Sequence, residues 1–192
     1  MGGRVSRGGG TREEAERGMI WESPDLFWSR IARRYRPRSS MEVAPFLYSL
    51  CKQVGARKTL EIGVAEGWTA FAFGLHSYEC RGVHYSVDIR KDPVGRIKEI
   101  NDEFGFSIVG IHGDSTSPQI HSGYDLAYID GSHEYKDVLS DTDIVFGKMR
   151  NGGLVVWHEY VINEQVKRAV DERCMPFVLQ GGTGLALWHV SA

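Results

Sequence analysis

The sequence is poor in cysteine: Cys51, Cys80 and Cys174 are all it has, an odd number without the spacing of a metal site. That argues against a disulfide framework and predicts reduced thiols in a cytoplasmic compartment, mostly as packing residues. It also lacks any apolar run near the roughly 20 residues that span a bilayer, and its N-terminus lacks the apolar core of a secretory signal. A soluble intracellular protein with no membrane partner is expected. An excess of charge of either sign is missing too. The 23 Lys and Arg stand against 25 Asp and Glu, a formal −2, so no global field favours nucleic acid or an anionic membrane. What is present is 192 residues, 42% of them hydrophobic, enough to bury one α/β core.

Residues 1–18, "MGGRVSRGGGTREEAERG", have almost nothing to bury and read as a flexible tail. Residues 19–192 then form one domain, opened by helices within 19–56 that can act as a lid. Leu26, Phe27, Ile31 and Ala32 recur at helical spacing over Pro24–Tyr35, and Val43, Phe46, Leu47 and Leu50 over a helix from about Ser40 to Val54. Beyond them the chain alternates. Strands are predicted at Thr59–Ile62, Val83–Asp88, Ser107–Ile111, Asp125–Ile129 and Leu154–Trp157. Helices are predicted at Thr69–His76, Pro93–Phe104, Ser115–His121, Tyr135–Met149 and Asn163–Arg173. This rhythm predicts an α/β fold, a single Rossmann-like, doubly wound, mostly parallel sheet with helices on both faces. "PFVLQ", "GGTG" and "LALWHV" form a hairpin, so the last strand should enter antiparallel.

The stretch "TLEIGVAEGWTA" resembles a phosphate-binding turn but does not suit one. A dinucleotide loop needs G-x-G-x-x-G so that backbone amides can approach a pyrophosphate. Here Gly63 and Gly67 are separated by Val64, Ala65 and Glu66, the third glycine is absent, and Glu61 and Glu66 would repel a pyrophosphate. A cationic ligand removes the conflict. S-adenosylmethionine carries a sulfonium and an ammonium and no phosphate, so Glu61, the loop Gly63 to Gly67 and the neighbouring Trp68 become its candidate contacts. Asp88 ends "VHYSVD" about 25 residues on, where a carboxylate can accept both hydroxyls of a ribose or simply cap the next helix. In "GIHGDST", Asp114 could take the adenine amine and Ser115 a ring nitrogen, or Ser115 could be a helix cap.

With these residues in place, the chain resembles class I S-adenosylmethionine-dependent methyltransferases. It looks most like the small-molecule O-methyltransferase branch, the catechol O-methyltransferase-like enzymes and the methyltransferase domain of cephalosporin hydroxylase-like proteins. The resemblance covers roughly residues 40–192 and is most specific in "YDLAYIDGSHEYKDVLSDTDI" and "NGGLVVWHEY", through Asp130, Gly131, His133, Tyr135, Asp141, Gly152 and Gly153. Glu159 departs from the Asp more common there. The resemblance implies strand order 3-2-1-4-5-7-6, a small-molecule acceptor, a basic general-base residue at His133, and assemblies in which a homodimer is open.

Asp130 ends the fourth strand and His158 and Glu159 the fifth, neighbours in that order. A carboxylate pair there can ligate a hard divalent cation such as Mg²⁺ or work as a like-charge acid/base pair. The first use is favoured, with Asp130, His158 and Glu159 as ligands, although imidazole better suits a transition metal. A cation on a substrate hydroxyl lowers its pKa. His133 can take the hydroxyl proton, or can hold its loop by bonding to backbone or to Asp141. Trp68 and Tyr160 are expected to line the site. Metal-free chemistry based on His133 or Asp130, and cofactor binding without turnover, remain open at this point, with an NAD-linked reaction disfavoured by the loop.

Overall fold

The structure, a computed structural model, describes residues 24–35, 41–179 and 183–191. The tail assigned to residues 1–18, Trp21 and the first two glycines of the "GGTG" turn lie outside them. The chain divides into two compact units, residues 1–34 and 35–192. In the first, α1 (Pro24–Tyr35) forms as its spacing predicts, and Phe27 and Trp28 meet edge to face with centroids 5.3 Å apart.

The second unit runs α2 (Val43–Val54), β1 (Lys58–Ile62), α3 (Trp68–Cys80), β2 (Val83–Asp88), α4 (Lys91–Phe104), β3 (Val109–His112), β4 (Tyr124–Ile129), α5 (Tyr135–Phe146), β5 (Met149–Trp157), α6 (Glu164–Asp171), β6 (Phe177–Val178) and β7 (Ala186–His189). The seven strands lie in the order β3-β2-β1-β4-β5-β7-β6. The first five are parallel, and β7 pairs antiparallel with both β5 and β6. The expected order and the antiparallel final strand are both present.

Alternation along the strands builds a core on each face. Leu126 and Tyr128 of β4 and Leu154 and Val156 of β5 pack with Val43, Leu47 and Cys51 of α2 and Phe73 of α3. Their neighbours Ala127, Ile129, Val155 and Trp157 pack with Val138 and Val145 of α5 and Val166 and Val170 of α6. Each fully buried aliphatic side chain contributes about 1.5–3 kcal/mol of transfer free energy. No helix of the described residues is long and apolar enough to cross a membrane.

Three sequence expectations are corrected. Ser115–His121 is not a helix but two successive turns, Ser117 N to Asp114 O and Ile120 N to Ser117 O, both 3.0 Å. Asp114 Oδ1 takes the Thr116 amide at 2.8 Å, and Pro118 disfavours the α conformation in the residue before it. The third strand begins at Val109 rather than Ser107, because Ile108 N and O are held by the Asn101 side chain instead of a strand partner. The helix expected to reach Met149 ends at Phe146, and Met149 instead opens β5, which shifts register between Tyr124 and Leu126.

Candidate active site

The carboxyl ends of β1 to β5 enclose a cavity of about 900 Å³, at the edge where open α/β sheets bind ligands. Its shape begins with one glycine. Gly63 has φ +93°, and a Cβ there would run into the Asp130 carbonyl. Only glycine lets β1 turn this close to β4. Asp130 N donates to Ile62 O at 2.8 Å across the same contact. Gly67, φ +81°, opens α3 and holds Val64 O at 2.8 Å, closing the loop into a turn.

Asp88 fixes that loop from β2. Its Oδ2 accepts the Val64 and Ala65 amides at 3.0 and 3.4 Å, and its Oδ1 accepts Arg90 N at 2.8 Å and Arg90 Nε at 3.2 Å. Burial pushes its pKa up, but the hydrogen bonds from Arg90, Val64 and Ala65 outweigh burial and leave it below the usual carboxylate range. The helix after it has Arg90 at its N-cap with no side-chain cap.

Seven acidic residues line the cavity: Glu66, Asp88, Asp114, Asp130, Asp137, Asp141 and Glu159. Arg90 is the one lysine or arginine among the described residues that line it, and it is paired with Asp88. The interior is therefore strongly electronegative.

At the β4–β5 end the side chains converge. Asp130 Oδ1 stands 3.2 Å from His133 Nε2 and 3.0 Å from His158 Nδ1, while Oδ2 accepts the Tyr128 hydroxyl at 3.0 Å. Burial opposes the Asp130 charge, yet the hydrogen bonds from His133, His158 and Tyr128 prevail and its pKa is lowered. The other nitrogen of His133, Nδ1, lies 3.0 Å from Glu159 Oε2. The Asp130 hydrogen bond raises the His133 pKa, against the opposing effect of burial and with help from the Glu159 charge. Glu159 reaches it from a left-handed backbone, φ +56°, an uncommon conformation for a side chain and one found at functional sites.

Of the residues expected from sequence, Gly63, Val64, Ala65, Glu66, Trp68, Asp88, Asp114, Ser115, Asp130, His133, His158 and Glu159 all face this cavity. Three do not: Glu61, Gly67 and Tyr160. Glu61 is fully buried beneath the loop, where it accepts the Thr69 hydroxyl, accepts the Ser86 hydroxyl at 2.9 Å and lies 3.5 Å from His84 Nε2. It braces the loop instead of meeting a ligand at the mouth. Tyr160 is likewise core, with its hydroxyl on Asp171. The metal grouping also changes. Asp130, His133 and His158 each offer a ligand atom, all within 4.8 Å of one another, whereas Glu159 turns to His133. His133 does not bond to Asp141, which accepts Ser115 Oγ–H at 2.6 Å. Sequence reading missed Ile89, Val161, Ile162, Thr183 and Gly184 at the cavity wall. Two apolar residues immediately after Tyr160, where a strand should give way to polar loop, were the available signal.

A twisted sheet in this order, a glycine turn after β1 and carboxylates at the next strand ends define the class I methyltransferase scaffold. A family model described as a methyltransferase domain matches residues 60–160, just over half of the 192-residue chain. The chain belongs to that family and is a class I S-adenosylmethionine-dependent methyltransferase. Similar solved structures include the O-methyltransferase TomG from Streptomyces achromogenes, involved in tomaymycin synthesis and solved with SAM. It is 16% identical, with a TM-score of 0.67 over 91% of this chain and 92% of that one. An SAH-bound methyltransferase from Podospora anserina is 14% identical, with a TM-score of 0.69 over 97% and 98%. An O-methyltransferase from Bacillus cereus in complex with SAH is 13% identical, with a TM-score of 0.68 over 91% and 94%. At such identities the likeness establishes the fold. No curated protein is significantly similar to the chain.

Proposed function

We propose that the enzyme transfers a methyl group from S-adenosylmethionine to a hydroxyl of a small-molecule acceptor, with a divalent cation held beside the acceptor. The observation that carries this reading is the charge of the cavity: seven carboxylates against one guanidinium already engaged by Asp88. Such an interior favours a sulfonium and an ammonium and disfavours a pyrophosphate. When bound, S-adenosylmethionine supplies an electrophilic methyl carbon. Two of the similar structures are of O-methyltransferases, which supports oxygen as the acceptor.

The residues fit both ligands. The turn that Asp88 holds at Val64 and Ala65 offers a backbone cradle for the donor. Asp130, His133 and His158 form a carboxylate and two-imidazole set, a donor chemistry suited to a transition-metal dication better than to Mg²⁺. A cation there would lower the pKa of an acceptor hydroxyl. In the chain itself, Asp130 fixes both rings from one oxygen, and Glu159 holds the far side of His133. Orientation of the acceptor against the donor is then the main task of the site.

A metal-independent reading is favoured by one feature, the placement of His133 between two carboxylates. There, His133 would have to turn one ring nitrogen away from Asp130 or Glu159 to take the acceptor proton, and the resulting imidazolium would be stabilised by the carboxylate that the other nitrogen keeps. Label transfer from methyl-labelled donor to a panel of hydroxyl and amine acceptors, with and without EDTA, separates the readings. Loss of transfer on chelation and recovery with Mn²⁺ or Mg²⁺ supports the metal; full activity in EDTA supports His133 as base. Transfer to amines alone would overturn the oxygen assignment.

A further inference from the structure

We propose that Arg90 holds the place of the methyl donor's ribose on Asp88, so that its guanidinium leaves when S-adenosylmethionine binds and returns when the spent donor departs. The inference rests on the methyltransferase reading, in which Asp88 meets the ribose diol.

The donors already on Asp88 require an exchange. A carboxylate has about four lone-pair sites. Those of Asp88 receive the amides of Val64 and Ala65 on Oδ2, at 3.0 and 3.4 Å, and the amide of Arg90 on Oδ1 at 2.8 Å. The Arg90 side chain adds Nε to Oδ1 at 3.2 Å and Nη2 to Oδ2 at 3.3 Å. The acceptor is full. Two ribose hydroxyls find room on it only where N–H groups withdraw.

Which groups withdraw follows from what each one holds. The Val64 and Ala65 amides belong to the turn that shapes the cavity, and the Arg90 amide to the start of α4. Moving any of them moves the backbone. The guanidinium has no such role: the Arg90 side chain is 61% exposed against 4% for Asp88, and α4 takes no cap from it. An ion pair with one partner in solvent is weak enough to exchange. Its geometry is also that of the group it would yield to. One edge of a guanidinium gives a hydrogen to each carboxylate oxygen from two neighbouring nitrogens, and a vicinal diol can do the same from two neighbouring oxygens. The charges of Glu66 and Asp92 act on Arg90 as well, so the freed cation has other carboxylates to turn to.

A ligand that must displace a resident group binds with an affinity reduced by the fraction of molecules in which that group has already left. Removing the guanidinium should therefore tighten the donor. Losing a direct ligand contact would do the reverse.

The test is calorimetric titration of the full chain with S-adenosylhomocysteine and with its 2′,3′-dideoxy analogue, for wild type, Arg90→Ala and Arg90→Lys. The backbone amide of residue 90 stays on Asp88 in each. Arg90→Ala should bind S-adenosylhomocysteine about two- to sixfold more tightly than wild type. The dideoxy analogue has no diol to offer and should bind both proteins equally. Weaker or unchanged binding of S-adenosylhomocysteine in the variant overturns the proposal, and so does an equal gain for both compounds. If Arg90→Ala does not fold, Arg90→Lys decides: its single ammonium lacks the two-nitrogen edge, so a smaller gain in the same direction supports the proposal and no gain overturns it. Failure of wild type to bind S-adenosylhomocysteine at all would remove the methyltransferase reading, and the proposal with it.

Discussion

Two regions of this molecule are built from the same chemistry, a carboxylate among histidines and hydroxyls, and differ in what surrounds them. The first lies under the glycine loop. Thr59, Glu61, His84 and Ser86 are fully buried, paired in register across β1 and β2 as Thr59 with His84 and Glu61 with Ser86. Phe73 stacks on the His84 ring at 4.5 Å. The second lies at the cavity, where Asp130, His133, His158 and Glu159 keep part of their side chains in solvent. In the sealed region each carboxylate oxygen of Glu61 is taken by a hydroxyl, Thr69 and Ser86. In the open region Asp130 engages His133, His158 and Tyr128 and Glu159 engages His133, all at the cavity wall. Satisfied polar groups sealed in a core rigidify a fold, while the same groups beside a cavity can exchange a partner for a ligand. The difference assigns architecture to one and chemistry to the other.

Removing Glu61 should break this comparison most visibly. Glu61→Ala strands Ser86, Thr69 and His84 in the core and should cost about 3–5 kcal/mol in a urea melt. A cost below 1 kcal/mol would mean that the sealed region does not brace the loop. The open region should respond in turnover instead. Asp130→Asn is expected to lower methyl transfer about a hundredfold or more, with a melting temperature near wild type. A variant that unfolds but retains its specific activity would reverse the roles of the two regions. Asp88 sits between them, part brace and part lining. Asp88→Ala should weaken S-adenosylhomocysteine by more than about 1 kcal/mol, the order of a hydrogen bond to a charged group. An unchanged dissociation constant would leave Asp88 purely structural.

The smallest effect is a pH dependence confined to the open region. His133 has its pKa raised above the ordinary value of about 6.5. Its ion pair with Asp130 and Glu159 therefore stabilises the fold fully below about pH 6.5, and that stability is lost as pH rises through the raised pKa. The neutral ring, able to accept a proton or bind a cation, appears over the same interval. In metal-free protein, stability should decline slightly while activity, or cation affinity, rises. A flat profile in His133→Gln and a sloped one in wild type would tie the change to this ring. Identical profiles would contradict it.

Much of this was legible in the sequence, and the reasons are local. Apolar runs ending in Asp88 and Asp130, and the glycines after β1, fixed the strand ends and therefore the cavity. Glu61 was misplaced because one acidic residue at the end of an apolar run reads as exposed. In a central parallel strand both faces are covered. The signal was present as polar residues at i and i+2 on two strands, Thr59 with Glu61 and His84 with Ser86, but its meaning depends on the register between them. Tyr160 failed for a similar reason: its contact with Asp171 comes from α6, which the strand pattern does not place. The exchange of Glu159 for His133 in the ligand grouping required the left-handed turn at Glu159, which nothing in "WHEY" announces.

The most direct measurement is a calorimetric comparison of S-adenosylmethionine, S-adenosylhomocysteine and NAD⁺ on the same protein at matched ionic strength. An electronegative cavity should bind the first two with roughly micromolar affinity and give no heat with the pyrophosphate-bearing nucleotide. Saturable binding of NAD⁺ with neither of the sulfur compounds bound would contradict the assignment at its base.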